Sequence, residues 1–225
     1  MKLLRRLQKR LKPTNKRRLL VGIGIIGAIL FLLAMYLPTD SHTHNKPHHN
    51  RPSSMVSNSG TVSEKPIPHN YKWKGGPYEP KYLKIPTINV AGFIVKVGLT
   101  KDKAIDVPPS VNLVGWYSGS ASPGSPGVSV IDGHVDGYTV PGIFNRLKDL
   151  HANDRFTVEL GNGTINTYRV MDNVTVKNAS ALSVLFSQKP KVASQLNLIT
   201  CGGIFDTKTE TYDQRVIVSA ELIDQ

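Results

Sequence analysis

The run Leu196-Asn197-Leu198-Ile199-Thr200-Cys201-Gly202-Gly203 alternates in character, is rich in Leu and Ile, and stops at the only cysteine and two glycines. It reads as a β-strand. The sulfur then lies at the strand's end, where backbone without side chains lets a substrate approach closely. Working outward, residues 81–85, 92–97, 127–132, 155–160, 165–172, 195–200 and 215–222 share this character: short, β-branched-rich, and bounded by Gly, Pro, Asn or Asp. Asn162-Gly163, between two of them, is a hairpin signal. Two stretches favour helix: 143–150, started near Pro141, and 181–187, with Ser180 as the cap. Many short strands with turns at this spacing predict a mainly β domain, a closed antiparallel barrel or a sandwich. Periodicity alone leaves both open.

The other end of the chain is different. Residues 1–18 carry nine Lys or Arg and no acid, and residues 19–37 carry no charge. At about 1.5 Å per residue, such a helix just spans a hydrocarbon core of about 30 Å. A cleaved signal peptide has a shorter apolar region and a small-residue cleavage site, and Met35-Tyr36-Leu37-Pro38 offers no clear one. We therefore expect a basic cytoplasmic tail (1–18), a transmembrane helix (19–37) and export of everything after it, by the positive-inside rule. Residues 38–79 are rich in Ser, Asn, Pro, His and Gly, which predicts a flexible extracellular linker. Its histidines His42, His44, His48 and His49 have no Cys or acidic cluster beside them to complete a metal site. Whether the linker is free or folds its Tyr71 to Tyr78 segment back over a groove stays open. Residues 80–225 suit one domain.

The net charge of +12 divides into +9 for residues 1–18, +2 for 40–80 and +1 for 81–225. The basicity is a topogenic tail and the exported domain is nearly neutral, so nucleic acid is not an expected partner.

A single exported thiol has no intramolecular disulfide partner, so it is packing, an intermolecular link or a nucleophile. With an ordinary pKa of about 8.5 it needs an activating environment. His134, in Val130-Ile131-Asp132-Gly133-His134-Val135-Asp136-Gly137, ends another β-rich run and is able to exchange protons with the thiol and an amine. Arg215 opens a strand fourteen residues after the cysteine. Being always charged, it suits donation to an oxyanion or a carbonyl. Each of the three also has a bland reading as packing, turn or edge residue. Asp132 and Asp136 flank the histidine; we read them as turn residues capping local amides rather than as a third catalytic member. No carboxylate cluster suggests a metal, and neither metal nor cofactor is expected.

The order His134 in a Gly-His turn, Cys201 in an Ile-Thr-Cys strand and Arg215 opening the last strand resembles the sortases, cysteine transpeptidases of mainly Gram-positive surfaces. The likeness covers about residues 78–225. It includes Pro141-Gly142-Ile143-Phe144-Asn145-Arg146-Leu147 after the histidine. Asp132-Gly133-His134-Val135-Asp136 and the run from Leu198 to Asp206 look most like class F sortases. The resemblance implies an eight-stranded sortase β-barrel with His134, Cys201 and Arg215 along one groove. It implies that Cys201 attacks the Thr-Gly bond of a Leu-Pro-any-Thr-Gly (LPXTG) sorting motif in a surface protein. An amine of peptidoglycan or of a pilin then releases the acyl-enzyme. It further implies proton transfer by His134, an oxyanion or substrate contact from Arg215, and substrate binding around Thr200, Gly202 and Gly203. Two rivals remain: an exported cysteine endopeptidase with water as acceptor, opposed by the lack of a papain-like signature, and a non-catalytic exported binding domain.

Overall fold

A computed structural model describes residues 62–225. The basic tail, the expected span at 19–37 and the histidine-rich part of the linker lie outside the described residues. Among the described residues, no helix is long and apolar enough to cross a membrane.

Eight strands form a closed barrel: β1 (Pro80–Ile85), β2 (Val90–Val97), β3 (Val114–Tyr117), β4 (Gly127–Gly133), β5 (Arg155–Leu160), β6 (Ile165–Lys177), β7 (Ser194–Asp206) and β8 (Thr211–Asp224). The order around the barrel is β1-β2-β3-β4-β7-β8-β6-β5. The barrel is the closed alternative, but it is not purely antiparallel: β2 pairs parallel with β3, and β4 with β7. Parallel neighbours need long crossovers. Residues 98–113 supply the first, and the second is the whole excursion through β5, β6 and the α-helix α1 (Asn178–Leu185). β5 and β6 meet in the expected hairpin. The Gly163 amide donates to the Leu160 carbonyl at 3.0 Å, and Gly163 takes the left-handed φ of 88° that glycine accommodates at no steric cost.

Strand alternation sorts the side chains onto two faces. Inside the barrel, Leu83, Ile85, Ile131, Phe156, Tyr168, Leu196, Leu198, Val216 and Val218 make the main core. Outside it, Val130, Ile199 and Ile217 make a second cluster with Val97, Ile105, Ala181 and Leu185, under the cover of α1 and the 98–113 crossover. This outer cluster matters for function. Cys201 and Arg215 stand directly opposite one another, two residues along from the Ile199 and Ile217 pair and so on the same face, and paired residues share a face. They belong to the outer face, not to the barrel interior.

Several expectations need correcting. Residues 143–150 form successive turns ending in the 3-10 turn Leu147–Asp149, not a helix. The apolar spacing is real, since Phe144, Leu147 and Leu150 are all buried. However, the amides of Ile143 and Phe144 donate outside the segment, to the carbonyls of Val111 and His134, and the remaining bonds close three residues back. The helix α1 starts at Asn178 without a side-chain cap, so Ser180 is inside it. β3, with Gly115 in its four residues, had no legible signal. Finally, residues 62–79 lie along the barrel as a strap instead of a free linker. Ser63 bridges Ser110, the Trp73 indole donates to the Ile94 carbonyl at 2.8 Å, and Tyr71 packs on Phe93 with ring centres 4.9 Å apart. Its two aromatic anchors outweigh the polar composition around them. The Tyr71 to Tyr78 part lies over β2 and the β5–β6 turn, where the Asn162 amide donates to the Pro77 carbonyl at 2.8 Å; the strap residue at the groove is Val62.

Candidate functional site

Three strands converge. His134 follows the last residue of β4, Cys201 lies in β7, and Arg215 faces it from β8. His134 and Cys201 line one cleft of about 520 Å³, together with Asp132, Asp136, Thr200 and Tyr212. Val62, Tyr138 and Phe205 give it apolar walls. β7 does not stop at the cysteine as expected. It runs on to Asp206, and the ladder with β8 shifts register between Gly202 and Phe205. Gly203 takes φ 81° at this irregularity, and a Cβ there would lie 2.1 Å from a carboxylate oxygen of Asp213. Gly202 and Gly203 therefore shape the strand; neither lines the cleft. Thr200 lines it, but its hydroxyl donates to the Gly133 carbonyl at 2.7 Å and ties β7 to β4.

The resting charges follow from burial. Burial pushes the Cys201 thiol above its ordinary pKa; Arg215 opposes this, and Asp136 and Asp132 add to it. Burial pushes His134 below its ordinary value, against the opposing effects of the Pro108 carbonyl and Asp136. Both shifts favour a neutral thiol beside a neutral imidazole. The ring's Nε2 is 2.8 Å from the Pro108 carbonyl, which can only accept, so Nε2 carries the proton and Nδ1 is the basic nitrogen.

Arg215 is 1% exposed, one of the largest fully buried side chains. Its Nη1 donates to Asn178 Oδ1 at 2.9 Å and to the carbonyls of Gln214 and Tyr212 at 2.8 and 3.3 Å. Its Nε and Nη2 are buried with no hydrogen-bond partner. Asn178 also donates to the Tyr212 carbonyl at 2.7 Å, so the first residue of α1 locks the guanidinium against β8. The Tyr212 hydroxyl in turn donates to Asp136, joining the start of β8 to the His134 loop. Asp136 is thus a cross-link to Tyr212 and not a cap for nearby amides. From the strap, Glu64 fastens the same loop, accepting from the Thr139 amide at 2.9 Å and its hydroxyl at 2.5 Å. Asn178, Tyr212 and Glu64 have no signature in the sequence; only the fold brings them here. Among the described residues, no group of three or more His, Cys, Asp or Glu is placed to hold a metal ion.

Asp132 also departs from the turn reading. It sits within β4, 1% exposed, with both carboxylate oxygens buried and unpartnered. A Cβ on its neighbour Gly115 would lie 2.4 Å from Oδ1, so glycine there makes the room. Burial first, then the charge of Asp106, pushes its pKa well above the usual carboxylate range. Folding therefore binds a proton that the unfolded chain, with a carboxylate pKa of about 3.9, has released. Stability should fall as pH rises from that value through the raised folded one, each unit of difference costing about 1.4 kcal/mol. Asp132→Asn is expected to remove this slope. At pH 8 it should be more stable than the parent, with a higher Tm. Near pH 4 the gain should vanish. Parallel melting curves from pH 4 to 8 would show that Asp132 folds charged and paired.

Residues 83–223 match the family described as Sortase domain. The chain belongs to the sortase family. Among solved structures, this sortase resembles sortase C-1 from Actinomyces oris at 25% identity and a TM-score of 0.51, over 64% of this chain and 72% of that one. It also resembles a lid mutant of sortase A from Corynebacterium diphtheriae at 24% identity and a TM-score of 0.50, over 66% of this chain and 72% of that one. The latter likeness bears on the fold alone. No curated protein matches the chain significantly. Family and barrel together make this sortase a cysteine transpeptidase.

Proposed function

We propose that this sortase, of the class F type, cleaves an LPXTG-like sorting motif between Thr and Gly and transfers the new carboxyl end to an amine of the cell wall or of a pilin. One observation carries the assignment to residues. The only cysteine of a cysteine transpeptidase faces a buried arginine with free donors and shares its cleft with a histidine.

Cys201 Sγ attacks the threonine carbonyl as its proton passes to His134, whose Nδ1 is the free base. The oxyanion that forms draws on the unpartnered Nε and Nη2 donors of Arg215, held in place by Asn178. When the tetrahedral intermediate collapses, the C–N bond breaks and His134 returns the proton to the departing glycine amine. A thioester is left. The acceptor amine attacks it, His134 takes the surplus proton, and the new amide departs as the thiol regains its hydrogen. A resting neutral pair is compatible with this, since proton transfer accompanies attack. The apolar walls, with Tyr138 83% exposed at the rim, suit the Leu and Pro of such a motif.

The class F assignment rests on the runs around His134 and Cys201. The basic tail and uncharged 19–37 segment support a single-pass anchor with the N-terminus cytoplasmic and the catalytic domain outside. Partners are then surface proteins with a C-terminal sorting signal, and the near-neutral domain gives no surface for nucleic acid. The test is turnover of a labelled sorting peptide with and without triglycine. Transfer product rising with the amine is expected; water-cleaved product alone at saturating amine assigns a hydrolase instead.

A further inference from the structure

A second cavity, of about 540 Å³, opens beside the catalytic cleft, and the loop after His134 is a wall of both. The cleft uses residues 134–138 of this loop and the second cavity uses Pro141, Gly142, Ile143 and Asn145. The wall between them is thin and fixed: the Gly142 amide donates to the Val135 carbonyl, and a Cβ on Gly142 would lie 2.2 Å from the His134 carbonyl oxygen. The opposite side is the strap at Pro66 to His69, and β1 and β2 supply Tyr82 and Phe93.

The lining is informative for what it lacks. It contains no Lys, Arg, Asp or Glu, although the surrounding surface carries all four. A phosphate, a carboxylate or an acidic peptide finds no cation here, and an amine or metal ion finds no carboxylate. Its polar side chains are instead three carboxamides, Asn89, Asn112 and Asn145, with His69 and the Tyr82 hydroxyl. Each carboxamide offers a planar acceptor and two donors, a match for vicinal hydroxyls or another amide. The aromatic wall is held rigid: Phe93 packs edge-on to Tyr82 with centres 5.0 Å apart and tilts against Tyr71 at 4.9 Å. Asn112 is fixed by donating to the Lys65 carbonyl at 3.1 Å, and Asn89 is set at φ 58° in the turn after β1. An uncharged cavity lined by both amides and aromatic rings fits a ligand with hydroxyls at its edge and an apolar C–H face.

We propose that this cavity binds an N-acetylhexosamine ring, the acetamide group pairing with the carboxamides and the sugar face lying against Tyr82 and Phe93. The binding stands independently of the peptide chemistry assigned to Cys201. Such a ring reaches an exported enzyme either from a β-linked wall glycan or from a glycosylated protein substrate.

The experiment is saturation-transfer NMR on the full chain in detergent, with N,N′-diacetylchitobiose and, separately, a threonine peptide carrying O-linked N-acetylgalactosamine. Transfer to the acetamide methyl is expected for at least one probe, and the responding probe identifies the source. Asn89→Ala with Asn145→Ala should weaken binding at least five-fold. Both residues are exposed, so cleavage of the labelled sorting peptide should be unchanged and reports an intact fold. Asn145→Ala alone should give an intermediate loss, which keeps the test readable if the double variant does not fold. Absence of transfer from both probes, or transfer undiminished in the variants, overturns the sugar site. Failure of peptide cleavage in the parent chain bears only on the Cys201 reaction.

Discussion

Cys201→Ala is expected to lower transpeptidation by at least about 10⁴-fold, since single removal of a covalent nucleophile costs losses of that size or larger. The chain has no second cysteine to take over. The loss should not come from unfolding. Cys201 is half-buried, and removing one sulfur atom there costs on the order of 1 kcal/mol. Melting temperature and near-UV spectrum should therefore stay close to those of the parent while turnover disappears. Hydroxylamine should trap an acyl group from the parent with a sorting peptide and none from the variant. Retained turnover at even a hundredth of the parental rate would transfer the chemistry away from the sulfur. The same experiment decides against a non-catalytic binding role, which the alanine would leave intact.

How far the residues alone led depends on which faces of each strand are covered. β5 was legible to the residue, because Phe156, Val158 and Leu160 point to the core and the residues between them do not. β7 was not. Ser194 through Thr200 are buried without interruption, the core on one side and the outer cluster with α1 on the other. Alternation carries no signal in a strand covered on both faces, so only pairing shows that Cys201 joins Ile199 and Ile217 on the outside. Cys201, His134 and Arg215 stood out in the sequence as candidates because a lone thiol, an imidazole and a guanidinium beside β-rich runs are the groups able to carry chemistry. Their surroundings were not. The lock of Asn178 on Arg215 spans 37 residues, the Tyr212 contact to Asp136 spans 76, and Asp132 looked like a turn carboxylate because its Gly-His neighbours mark a turn. Trp73 and Tyr71 were visible as aromatic residues in the linker, yet their docking on β2 depends on a surface that the linker does not encode.

Arg215 offers the sharpest separation of roles, because a guanidinium contributes both a charge and a fork of donors. Its charge opposes the rise in the Cys201 thiol pKa, while its Nε and Nη2 have no hydrogen-bond partner and are the donors proposed for the oxyanion. Arg215→Lys keeps the charge but concentrates the donors on one atom, and a lysine does not reproduce the fork. Its turnover is expected to fall about 10²–10³-fold, the usual loss for an oxyanion donor, while the pH dependence of Cys201 alkylation stays near the parent's. Arg215→Ala should lose at least as much turnover and also move the alkylation midpoint to higher pH, because nothing then opposes the burial of the thiolate. It should be less stable as well. Asn178 Oδ1 and the carbonyls of Tyr212 and Gln214 lose their shared donor, at about 1 kcal/mol each where they stay dry. Iodoacetamide rates across pH, set beside kcat/KM for the sorting peptide, read the two roles independently. Lysine with full turnover would reduce Arg215 to a charge, and alanine with an unmoved alkylation profile would reduce it to a donor. The two proposed functions together account for both observations, the asparagine that fixes the guanidinium's orientation and the place in register with the sulfur.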